Sequence, residues 1–136
     1  MDIESCIFFQ LANAGKAGTR YWRDRVAPFG VTSVQALILV SLTARDQVTA
    51  KELGQAVRLD SATLTGTLDR MVKAGLLERR TDAEDRRAIS ICLTPDGRKT
   101  GKDISAIVAD ANRDFLKKLS PAEALMLKEL LHKLHA

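Results

Sequence analysis

Aromatic side chains are nearly absent from this chain. They make up 4% of its 136 residues, with one tryptophan, Trp22, and one tyrosine, Tyr21. A core must then be assembled from Leu, Val, Ile and Ala, which suits packed helices. Cysteine is as scarce. Cys6 and Cys92 are too few for a disulfide scaffold, and no CxxC or other zinc spacing occurs. Nor does any stretch approach the roughly 20 apolar residues that a membrane-spanning helix needs. The opening MDIESCIFFQ lacks the basic start and apolar run of a secretory signal. These absences predict a cytoplasmic protein with no membrane partner, no metal and no other cofactor.

What is present fits one domain over residues 1–136, with 46% hydrophobic residues and a formal net charge of +4. Net charge alone does not identify a partner. Position says more: Arg79, Arg80, Arg86 and Arg87 bracket a single turn within RTDAEDRRAISICLT.

Helix-start signals recur along the chain. TSVQ from Thr32, TAKE from Thr49 and SPAE from Ser120 fit the capping box, the last with Pro121 at the first helical position. Asp60 is placed to cap a further helix. The spacing predicts six helices: Asp2 to Val26, Ser33 to Thr43, Ala50 to Val57, Ser61 to Lys73, Thr94-Pro95 to Lys118, and Pro121 to Leu134. Two strands, LLERR and AISICLT, stand between the fourth and fifth. The fold class is therefore mainly α with a small β-hairpin wing: a winged helix-turn-helix over 31–94, flanked by helices in 1–30 and 95–136.

Projected at 3.6 residues per turn, Leu64, Leu68, Met71 and Val72 share one face of the fourth helix. Ala62, Thr63, Gly66, Asp69, Arg70 and Lys73 point the other way. That outer face is thin near the N-terminus, as entry into a major groove requires. Thr63 can hydrogen-bond a base or phosphate and Ala62 can meet a thymine methyl, with Ser61, Thr65 and Gly66 beside them. Arg70 and Lys73 can hold phosphates. An ordinary solvated surface helix has the same pattern; the turn before it and the wing after it favour DNA. On the wing, Arg86 and Arg87 can enter the negative potential of a minor groove, oriented by Asp85.

These residues carry a resemblance. LDSATLTGTLDRMVKAGLLERRTDAEDRRAISICLTPDGR, preceded by TSVQALILVSL, resembles the MarR family of bacterial transcription regulators over essentially the whole chain. The family's Asp-x-Arg wing element matches Asp85-Arg86-Arg87, and LTPDG matches its helix-opening motif. The chain departs from the family at Gly66, where many members carry a larger, often basic residue. The resemblance implies a homodimer that binds a pseudo-palindromic operator in double-stranded DNA and usually represses.

The chain ends carry further apolar stripes: Ile3, Ile7 and Leu11; Ile104, Val108, Ala111 and Phe115; and Leu127, Leu130, Leu131 and Leu134. Little core remains for them inside one subunit, so they are expected to dimerise. Two switches stay open. A small aromatic or phenolic effector can lodge near the small-residue stretch that Tyr21 and Trp22 follow. Alternatively, SCIFFQLA resembles the start of the first helix in a hydroperoxide-sensing branch of the family, which makes Cys6 a redox candidate with Tyr21 as its phenol. His132 and His135 cannot complete a zinc site alone.

No nucleophile–base pair or enclosed pair of acids is visible, so catalysis is not expected. The rival from another class is a winged-helix module for protein–protein assembly without DNA binding. It has no need of Arg86 and Arg87 at the tip.

Overall fold

The computed structural model describes residues 1–81, 84–85 and 88–136. Its helices are α1 (Ile7–Val26), α2 (Ser33–Ala44), α3 (Ala50–Val57), α4 (Ser61–Lys73), α5 (Pro95–Phe115) and α6 (Pro121–His135). Its strands are β1 (Val48–Thr49), β2 (Leu77–Thr81) and β3 (Ile89–Leu93).

Side chains fix the helix starts. Thr32 with Gln35, Thr49 with Glu52 and Ser120 with Glu123 each form the reciprocal capping box. Two orphan amides are thereby satisfied at each start. Asp60 caps α4 by accepting the Thr63 amide at 2.8 Å. At its far end α4 closes in a Schellman turn: Gly75 is left-handed (φ 78°), its N–H donates to Val72 O, and the Leu76 N–H donates to Met71 O. The chain is thus delivered into β2.

Three features differ from the sequence expectation. The first helix is not continuous from Asp2: a 3-10 turn over Ile3–Ser5 ends at Cys6, whose backbone is extended, and α1 begins at Ile7. The fifth helix stops at Phe115. A third strand exists, β1, which pairs Val48 with Ile91 and Thr49 with Ser90 and gives an antiparallel order β1-β3-β2.

The chain divides into two compact units. One comprises Met1–Tyr21 with Val108–Ala136, the other Trp22–Ile107. The second holds a core of Val26, Ile38, Leu39, Leu42, Leu53, Leu68, Met71, Leu77, Ile91 and Ile104, with Trp22 packed on it. Ile104, expected at a dimer face, is spent in this core because the start of α5 lies against α2. Close approach there needs glycine: a Cβ on Gly97 would overlap the Leu76 carbonyl, and one on Gly101 the Thr43 hydroxyl. Asp46 ties the same region together, accepting the Leu93 amide at 3.0 Å and Arg98 Nη2 at 2.8 Å.

In the first unit, Tyr21 donates its phenol proton to Asp114 Oδ2 at 2.6 Å and its ring tilts against Phe115, 5.4 Å between centroids. Helix α6 buries none of its residues.

Candidate nucleic-acid interface

Helix α4 crosses the second unit with Leu64, Thr67, Leu68 and Met71 buried. Ser61, Ala62, Thr63, Thr65, Arg70 and Lys73 are exposed and Gly66 half-exposed. Val72, expected on the buried face, is only partly covered, and its place there is taken by Thr67. A buried hydroxyl needs a partner, and Thr67 donates to Thr63 O at 2.8 Å. Its polarity hid it from a hydrophobic reading of the sequence.

The turn before α4 is tight because Arg58 is left-handed (φ 56°) and the Leu59 N–H donates to Gly54 O at 3.1 Å. Gly54 also sets the α3–α4 spacing, since a Cβ there would lie 3.2 Å from Leu64 Cδ2. The helices leave between them a shallow hollow of about 350 Å³ lined by Lys51, Gly54, Gln55, Ser61, Leu64 and Thr65.

Asp60 shapes the chemistry of the first turn. Its carboxyl is held below its ordinary value by hydrogen bonds from the Thr63 backbone and side chain. The Thr63 hydroxyl donates to Asp60 Oδ2 at 2.9 Å. With its proton committed, that oxygen can still accept a hydrogen bond but cannot donate one. Thr65, further along the helix, is exposed.

The basic residues divide into paired and unpaired sets. Arg79 on β2 reaches Asp69 on α4 at 2.7 Å, bracing the wing base against the helix. Arg80 pairs with Glu78, which raises the Arg80 pKa further. Arg70 makes a single long contact, 3.4 Å from Nη2 to Thr67 Oγ1. The Asp85 carbonyl accepts the Ala88 amide at 3.0 Å. Arg86 and Arg87 lie outside the described residues.

The switch candidates fall in both units. Cys6 is half-buried at the head of α1, where its carbonyl accepts the Gln10 amide at 3.1 Å. Tyr21 is held by Asp114, and Trp22 donates its indole N–H to Ser33 O at 3.2 Å. Cys92 is buried in the sheet, and desolvation pushes its thiol pKa up. Among the described residues no group of three or more His, Cys, Asp or Glu could hold a metal ion. Among them, too, no single helix is long and apolar enough to cross a membrane.

Residues 31–89 match the MarR family. The organic hydroperoxide resistance transcriptional regulator of Bacillus subtilis (strain 168) is 30% identical over 139 residues, covering 98% of this chain and 95% of that protein. A probable transcriptional regulator from Pseudomonas aeruginosa superposes with a TM-score of 0.90 at 29% identity, over 98% of this chain and 99% of its own. A mutant MarR from E. coli, crystallised with operator DNA, superposes with a TM-score of 0.87 at 25% identity, over 98% and 97%.

Proposed function

The chain belongs to the MarR family of transcriptional regulators, and from that premise we propose that it binds a pseudo-palindromic operator in double-stranded DNA as a homodimer and represses until an effector releases it. The observation that carries this reading is the thin, exposed first half of α4. Ser61, Ala62, Thr63, Thr65 and Gly66 are all small, rigidly capped by Asp60 and followed by a β-wing. A helix of that profile meets base edges with its first turns. The likeness to a regulator solved on operator DNA supports the same reading. Family relatives are transcriptional regulators rather than enzymes, and we assign this chain no catalytic role and a cytoplasmic location. The test is operator selection followed by a salt titration. Log K should fall with log salt at a slope of about −0.9 per phosphate contacted. Affinity indifferent to salt would instead favour a protein-assembly module, and an Arg86→Ala/Arg87→Ala double variant that binds as tightly as the wild type would remove the wing arginines from the contact.

For the switch, a small aromatic or phenolic acid fits a concavity of about 450 Å³ in the first unit. It is lined by Leu116, Leu119 and Pro121, with Arg113, Lys117 and Lys128 at its rim. An apolar wall with a few cations suits an aromatic carboxylate. A second reading is favoured by the Bacillus relative named for organic hydroperoxide resistance. In it, the Cys6 thiol is oxidised by a hydroperoxide to a sulfenic acid, the peroxide leaving as the alcohol. Against that reading, the Tyr21 phenol is committed to Asp114. Cys6→Ser separates the two: peroxide-induced release from DNA disappears only if Cys6 is the sensor.

A further inference from the structure

Four glycines lie inside helices of the second unit, and three of them have a packing reason. A side chain at Gly97 or Gly101 would collide with α5's neighbours, and one at Gly54 would crowd Leu64. Gly66 has none. The nearest atoms to a Cβ built there are Arg70 Nη1 at 3.6 Å and Nη2 at 3.9 Å, ordinary contact distances at the end of a flexible side chain. Alanine would fit, and glycine weakens a helix relative to alanine. What Gly66 does provide is a seat. The Arg70 side chain runs back one turn toward the helix N-terminus, as helical side chains do, and its guanidinium lies across the bare backbone of residue 66.

That seat is well placed. Ala62, Gly66, Asp69 and Lys73 share the outward stripe of α4, opposite Leu64, Leu68 and Met71, and the Asp69 carboxylate there is paired with Arg79. The guanidinium therefore sits near the middle of the exposed face of α4, not at its edge. Among the described residues Arg70 makes no ion pair, unlike Arg45, Arg79, Arg80 and Arg98. Among the described residues its acceptor is Thr67 Oγ1 at 3.4 Å, which leaves most of its planar fork of donors uncommitted there. The Thr63 hydroxyl, whose proton is held by Asp60, cannot supply donors at this surface.

We propose that Arg70, seated over Gly66, is the base-reading residue of α4 and donates its two parallel N–H groups to the O6 and N7 of a guanine in each operator half-site, so that it specifies sequence instead of clamping phosphate. This deepens the DNA-binding reading above and rests on it. Bidentate arginine–guanine pairing is the commonest specific contact in the major groove and discriminates by roughly 5- to 150-fold against the wrong base.

The test measures binding to the selected operator and to its single-base-pair variants, with salt titrations, for the wild type and four substitutions. Arg70→Ala should erase the guanine preference at one base pair per half-site, by roughly 5- to 150-fold, with the salt slope unchanged. Arg70→Lys, which keeps the charge but not the fork, should lose the same preference. Gly66→Leu should reproduce that loss by covering the seat, while Gly66→Ala should retain the preference. Thermal melting confirms that each variant is folded. A uniform loss on all duplexes in Arg70→Ala, with the salt slope reduced by about one per subunit, would make Arg70 a phosphate clamp and overturn this inference alone. An Arg70→Ala variant with unchanged selectivity would overturn it too. A wild type that binds no duplex in a salt-dependent manner overturns the DNA-binding reading and this inference with it.

Discussion

At the scale of single residues, glycines that look alike in the sequence carry opposite expectations. Gly97 lies where a Cβ would run into the Leu76 backbone, and backbone cannot swing aside. Gly97→Ala is expected to cost about 1–3 kcal/mol, the usual range for overpacking, seen as a lower urea midpoint. Gly66 faces only a flexible guanidinium, so Gly66→Ala should stabilise by up to about 1 kcal/mol, the helix-propensity difference. A Gly97→Ala variant no less stable than the wild type would mean that the spacing of α5 from the β2 approach is not what Gly97 protects, and a destabilised Gly66→Ala would mean that the helix needs glycine at 66. The sequence offered no way to separate these positions. LTPDG marks Gly97 as a motif residue, but the Leu76 carbonyl that makes it necessary lies 21 positions earlier. The same distance problem hid Asp46, which binds groups 47 and 52 residues away. Cys6, Thr63 and Arg70 could be picked out by type. What their protons and charges are already committed to could not.

At the scale of elements, local chemistry and the β2–β3 hairpin were legible, and the long-range pairing of β1 was not. Capping boxes are contained within four residues, so Thr32, Thr49 and Ser120 announced α2, α3 and α6 in the sequence, and the structure has all three. Strand β1 is two residues long, too short to show alternation, and it overlaps the cap of α3. Its existence depends on partners in β3, 41 and 43 positions on. The caps make a pH prediction. Glu52 is held below its ordinary 4.5 chiefly by hydrogen bonds from Thr49, and Asp60 below its ordinary 3.8 by those from Thr63. A lowered folded-state pKa means that the stabilisation is complete above the ordinary value and is lost as pH falls through the lowered one. Asp60→Asn retains a capping oxygen but cannot titrate. The gap in Tm between wild type and Asp60→Asn should therefore be constant from pH 7 to about pH 5 and shrink below about pH 4. A gap that does not change on acidification would show that the Asp60 charge adds nothing to the cap. The Asp69–Arg79 contact between α4 and the wing base is exposed at both ends and should add little to stability. Its removal should alter wing position, read as changed affinity for DNA, more than Tm.

At the scale of the whole molecule, the second unit closes its own core without any residue of α6. The first unit does not reach that state. Leu130 and Leu134 of α6 are 48% and 69% exposed, Phe8 of α1 is 77% exposed, and α6 buries nothing. A helix started by a full capping box yet left with Leu127, Leu130, Leu131 and Leu134 uncovered is expected to find its apolar partner in a second copy. Each leucine so buried contributes about 1.5–3 kcal/mol relative to exposure. Removing α6 from Ser120 onward should therefore yield a monomer in sedimentation, and Leu130→Glu/Leu134→Glu should do the same without shortening the chain. The winged unit should persist in both, because none of its core is lost, and the near-ultraviolet signal of Trp22, which packs in that unit, gives the check. DNA binding should respond as a loss of bivalency. Joining two half-site readers raises affinity by about 10²- to 10⁴-fold through effective concentration, so the monomer should bind the full operator weaker by that factor. It should show the same base preferences on an isolated half-site. If the truncated protein stays dimeric, the leucine stripe of α6 serves another partner. If it is monomeric yet binds the operator unweakened, half-site spacing is not what the dimer supplies.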